Sequence, residues 1–101
     1  MYTTVKESRN GKYTITCSKL PVCYNDFKIK VFKSNEDVVL LSLTCAYDTS
    51  CLSSASSLKI IEAIYYTDEL RPFHGSSNPI VNDNLLYEDI MNVLFTHAKS
   101  V

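Results

Sequence analysis

Four cysteines carry the most regular spacing in this 101-residue chain: five residues separate Cys17 from Cys23, and five separate Cys45 from Cys51. Two thiolates reach one zinc ion, at about 2.3 Å each, most readily from a close CxxC-type knuckle, so this spacing makes poor metal ligands. Four cysteines allow three disulfide connectivities, and spacing does not choose among them. Cys17 and Cys45 fall on the inward phase of alternating segments, where small buried thiols belong. The expectation is therefore free, partly buried thiols, no bound metal and no cofactor.

Nucleophilic catalysis needs a base beside Ser or Cys and usually a glycine turn that presents the nucleophile. The only glycines, Gly11 and Gly75, form neither a GxSxG elbow nor a phosphate loop. His74, in His74-Gly75-Ser76-Ser77, reads as a solvated loop histidine, and His97 falls on the apolar side of a helical segment. The acidic pairs Glu36-Asp37, Asp68-Glu69 and Glu88-Asp89 are sequence neighbours whose side chains diverge on a helix or strand, so they do not converge on a substrate. The catalytic set is empty, and the expectation is that the chain is not an enzyme.

Charge is distributed unevenly. Residues 1–33 hold seven Lys/Arg and two Asp/Glu, a balance of +5, whereas residues 34–101 hold three and nine, a balance of −6. The formal total of −1 conceals a basic front and an acidic back. Lys6, Lys12, Lys28 and Lys30 are expected on the outward phase, where a basic face interleaved with Tyr2 or Phe32 could hold single-stranded nucleic acid. Two arginines, no RNP-like aromatic motif and a pI near 6.0 argue against that use.

The elements that position these residues follow from binary patterning. Tyr13, Ile15 and Cys17 alternate with Thr14, Thr16 and Ser18 as a half-buried strand, preceded across Arg9-Asn10-Gly11 by a strand around Val5. A three-residue loop with left-handed Gly11 would pair Val5 with Ile15 and Lys6 with Thr14. A two-residue Asn-Gly turn would instead pair Val5 with Thr16, and the faces favour the former. Phe27–Lys33 alternates again, and Ser34-Asn35-Glu36 turns it into Val38–Cys45, pairing Val31 with Val39, Ile29 with Leu41, Phe27 with Leu43 and Lys33 with Asp37. Leu58, Ile61, Ile64 and Tyr65 recur at helical spacing, with Pro72 ending that helix. Asn82 or Asp83 caps a second helix bearing Leu86, Ile90, Val93, Leu94 and His97 on one side. The expected fold is one α+β domain over residues 1–101: a four-stranded antiparallel sheet of two hairpins, with two C-terminal helices packed on one face.

On this register Phe32 faces Val38 with Leu40 diagonal to it, an apolar cluster rimmed by Lys28, Lys30 and Asp37. Apolar patches with polar rims mark partner surfaces. The competing reading makes Val38–Leu43 a central strand covered on both faces, for example by the Leu20–Tyr24 loop. Composition excludes collagenous, low-complexity and disordered classes. The apolar run Val38–Tyr47 ends at Asp48, short of the roughly 20 residues of a membrane span. With Met1 as the native start, the polar opening indicates a cytoplasmic protein with reduced thiols. Abundant Lys, Asn, Ile and Tyr point to an A/T-rich gene. The leading expectation is a small non-enzymatic protein-binding module, a viral or phage-type inhibitor that occludes a host protein or pairs with a second copy of itself. The partner-binding residues would be Phe32, Val38, Leu40, Lys28 and Lys30. The alternatives are a nucleic-acid-binding regulator and a disulfide-bonded secreted or periplasmic module.

Overall fold

A computed structural model describes residues 3–20, 26–47, 58–75 and 80–100. Five strands, β1 (Thr3–Glu7), β2 (Tyr13–Lys19), β3 (Asp26–Lys33), β4 (Val39–Tyr47) and β5 (Leu58–Tyr65), form one antiparallel sheet in the order β1-β2-β3-β4-β5. A 3-10 turn (Asp68–Leu70) and one helix, α1 (Asn84–Ser100), follow. The α+β class stands, with five strands and one described α-helix in place of four and two. No helix is long and apolar enough to cross a membrane among the described residues.

The segment expected as the first helix is β5, and a bulge explains the misleading spacing. Thr44 pairs with Glu62 but Cys45 with Ile60, leaving Ile61 as an extra residue. Ile60, Ala63 and Tyr65 therefore sit opposite the inward-facing Cys45, Leu43 and Leu41. The apparent helical stripe combines residues of different sides: Ile61 is the extra residue of the bulge, Ile64 lies on the outer face and Tyr65 on the inner. The β-branched and aromatic residues Ile60, Ile61, Ile64 and Tyr65 suit a pleated strand.

Both hairpin registers also differ from expectation. Val5 pairs with Thr16 and Lys6 with Ile15, one residue from the preferred alignment. The loop is Arg9–Lys12, closed by Ser8 N–H to Tyr13 O at 2.8 Å and by Gly11 N–H to Ser8 O at 3.0 Å, with Gly11 left-handed at φ 73°. The loop is set by side-chain bonding: Asn10 Oδ1 accepts from Lys12 N–H at 2.9 Å and Ser8 Oγ from Tyr13 N–H at 3.1 Å. Thr4 rather than Val5 thus faces inward, Val5 is left 63% exposed, and Lys6 lies on the inner side at the sheet's edge rather than outward. In the β3–β4 hairpin Val31 pairs with Leu41, Ile29 with Leu43 and Phe27 with Cys45, a two-residue shift that keeps Leu41, Leu43 and Cys45 inward but turns Val39, expected inward, to the outer face. One residue comes from the longer loop, where Lys33 N–H bonds Val38 O at 3.1 Å, and one from a bulge at Leu40.

The inner face contributes Ile15, Cys17, Phe27, Ile29, Val31, Leu41, Leu43 and Cys45 to the core. Helix α1 covers its β1–β3 side with Leu86, Ile90, Val93, Leu94, His97 and Ala98. Asp83 caps the helix as expected, its Oδ1 accepting from Leu85 N–H at 2.9 Å and Leu86 N–H at 3.2 Å. Leu70, Ile80 and Val81, from the segment between β5 and α1, join the same core, and Tyr65 Oη donates to Ile80 O.

Candidate functional site

Because the helix and the core lie on one side of the sheet, the alternate residues form a second face. Register assigns to it Val5 on β1, Thr14, Thr16 and Ser18 on β2, and Lys28, Lys30 and Phe32 on β3. Beyond β3 it continues through Val39, Ser42 and Thr44 on β4 and Glu62 and Ile64 on β5. A row crosses all five strands, Val5, Thr16, Lys30, Ser42 and Ile64, with Lys30 and Ile64 exposed. This face is built of short hydroxyls and lysines with a few apolar side chains. Lys28 Nζ donates to Thr44 Oγ1 at 3.1 Å, which holds one ammonium against the sheet, while Lys30 reaches solvent.

Phe32 is half-buried on this face, between Thr14 and Val39 in the cross-strand row. Beside it lies a shallow hollow of about 370 Å³, lined by Thr14, Thr16, Phe32, Asn35, Glu36 and Asp37. The bulge at Leu40 divides the expected apolar cluster, since one extra residue reverses the side to which a strand's side chains point. Phe32, Lys28 and Lys30 share the outer face. Val38 and Leu40 instead line a hollow of about 630 Å³ at the sheet's end, with Tyr13, Lys33, Thr67 and Glu69. Phe32 therefore faces Val39, and Val38 sits at Lys33. Sequence patterning missed Val39 and Ile64 as outer-face residues because a bulge shifts the phase of each strand. β4 is an interior strand, as the competing reading held: Leu41 and Leu43 are fully buried on its inner side, and Ser42, on its outer side, is buried as well. Residues 21–24 of the proposed covering loop lie outside the described residues.

The residues with chemical potential are otherwise engaged. Cys17 and Cys45 are free and buried, each pushed up to about 12, chiefly by burial, so both are thiols rather than thiolate nucleophiles at neutral pH. They occupy β2 and β4 on either side of β3, roughly 10 Å apart by strand spacing, beyond disulfide reach. Cys23 and Cys51 lie outside the described residues. No group of three or more potential metal ligands occurs among the described residues. His74 is exposed in a turn. His97 is fully buried, its Nδ1 2.8 Å from Thr4 Oγ1 and its ring edge-on to Phe27 with centroids 5.8 Å apart. Burial holds the imidazole below its usual range, favouring the neutral form. Of the acidic residues, Glu36 pairs with Lys33 at 3.2 Å, Asp68 with Arg71 at 3.3 Å and Asp89 with Arg9 at 2.7 Å.

No family model, curated protein or solved structure matches this chain.

Proposed function

We propose that this protein is a non-catalytic binding module that docks a protein partner across the outer face of its sheet and occludes the surface it covers. The observation that carries this reading is the position of Phe32, opposite Val39 on the face turned away from α1. An aromatic side chain on the sheet face opposite the helix, amid short hydroxyls that cost little conformational entropy on binding, is the composition of an interface centre. Lys28 and Lys30, on the same strand and face, complement an acidic patch on the partner and steer its approach. A phosphate backbone suits the face less well, because Glu36 and Asp37 wall the hollow beside Phe32.

A photo-crosslinking residue at Thr16, on this face, compared with one at Asn92 on the exposed side of α1, tests the proposal. The expected result is a discrete protein adduct from Thr16 alone, competed by unlabelled wild type but not by Lys28→Glu/Lys30→Glu. Equal adducts from both positions, or an adduct dissolved by nuclease, would overturn it.

A further inference from the structure

The hollow of about 630 Å³ at the loop end of the sheet lies between two hairpin loops and the 3-10 turn, and its walls are tied in place. Ser34 N–H donates to Lys12 O at 3.0 Å, joining the β3–β4 turn to the β1–β2 loop, and Lys33 N–H closes the same turn onto Val38 O at 3.1 Å. The opposite wall is fixed by Tyr66 N–H to Leu40 O at 2.9 Å and by Glu69 N–H to Thr67 Oγ1 at 3.3 Å. Small-molecule sites span roughly 300–1,000 Å³, so the hollow has the size of one. Walls already held in place spare a ligand the cost of ordering them.

The lining is charged and neutral overall, with Lys12 and Lys33 against Glu36 and Glu69. Lys33 and Glu36 satisfy each other at 3.2 Å. Lys12 and Glu69 are left, both exposed, on different walls, and neither in an ion pair among the described residues. Between them Val38 is exposed, and Leu40 and Tyr13 are half-buried, which gives the hollow an apolar surface. We propose that this hollow binds a small zwitterion with an apolar body, of the class of an apolar dipeptide, its carboxylate on Lys12, its ammonium on Glu69 and its side chains against Val38 and Leu40.

Charge complementarity selects this class. A simple anion drawn to Lys12 meets Glu69 in the same hollow, a simple cation meets Lys12, and a neutral apolar molecule answers neither charge. A single amino acid carries both charges on one carbon, too close together to reach two walls, whereas a dipeptide places a peptide unit between them. The acidic end of the hollow also acts on its floor: the Tyr13 hydroxyl is held above its ordinary range by burial and, after that, by Glu69 and Asp83. The site is distinct from the docking face, since only Asn35 and Glu36 line both this hollow and the one beside Phe32.

Amide NMR spectra of the protein titrated with dileucine at neutral pH test the proposal. The expected result is a set of saturable shifts concentrated at Lys12, Tyr13, Val38 and Glu69. Lys12→Gln should weaken dileucine about fivefold, the upper end for a solvent-exposed charge pair, and should not weaken dileucine amide, which lacks the carboxylate. Glu69→Gln should weaken dileucine to a similar extent and should not weaken N-acetyl-dileucine, which lacks the ammonium. Both substitutions are at exposed positions and are expected to leave the melting temperature unchanged. The absence of saturable shifts, shifts centred outside the hollow, or equal affinity for dileucine and the uncharged N-acetyl-dileucine amide would overturn the proposal.

Discussion

Arg9 and Asp89, 80 residues apart, meet twice: Arg9 Nε donates to Asp89 Oδ1 at 2.7 Å, and the Arg9 backbone N–H donates to Oδ2 at 3.1 Å. The Asp89 side chain is only 7% exposed, whereas that of Arg9 is 52% exposed. The clasp fixes the β1–β2 loop to the first half of α1. Arg9→Ala retains the backbone bond but strips a nearly buried carboxylate of its charged partner, so it should cost about 1–2 kcal/mol. Urea denaturation of Arg9→Ala, Asp89→Asn and the double variant measures the coupling. Additive effects would show that the two residues act separately.

Gly11 lies in the same loop at φ 73°, and a Cβ built there would meet nothing within 4 Å. Any penalty for substitution is therefore backbone strain rather than a clash. Gly11→Val should lose on the order of 1–2 kcal/mol, and Gly11→Asn clearly less, because asparagine tolerates the left-handed region. Thermal melts of the two variants check the difference.

The inward phase of β2, of β3 and of β4 from Leu41 onward, and the capped helix from Asp83 through His97, were legible in the sequence, because regular alternation and helical spacing report directly on which side is buried. Registers were not. The Leu40 and Ile61 bulges each add a residue that a periodic reading assigns to the wrong side, so Val38 and Leu40 were grouped with Phe32, and β5 resembled a helix. The one-residue difference at Val5 has another cause. On an edge strand a single valine contributes little, and Thr4 bonding to His97 and the Ser8–Asn10 side chains outweigh it. Of the candidate site, Phe32, Lys28 and Lys30 were recoverable because β3 itself is regular up to Phe32.

His97 is held below its unfolded value by burial, so the unfolded chain takes up the proton first. The stability linked to this residue is fully present above the unfolded value near 6.5 and declines as pH falls from there toward the folded value, by at most about 1.4 kcal/mol per pH unit. Denaturation at pH 7.5 and 5.5 should show a larger loss for wild type than for His97→Asn. Equal losses in the two proteins would assign the pH dependence to carboxylates instead.

Cys17 and Cys45, each pushed up to about 12, should resist alkylation in the native protein. Iodoacetamide at pH 8, followed by peptide mass spectrometry, is expected to label both only after denaturant is added. Labelling of either in the native state within minutes would mean that the inner face opens far more readily than its packing implies.

The most direct test of the docking face is Phe32→Ala, with melting temperature and affinity for the partner crosslinked at Thr16 measured on the same preparation. A central aromatic anchor predicts a loss of about 2 kcal/mol or more in binding, roughly thirtyfold in Kd, with little change in melting. Unchanged affinity combined with destabilisation of about 3–5 kcal/mol, the cost of a cavity in a core, would contradict it.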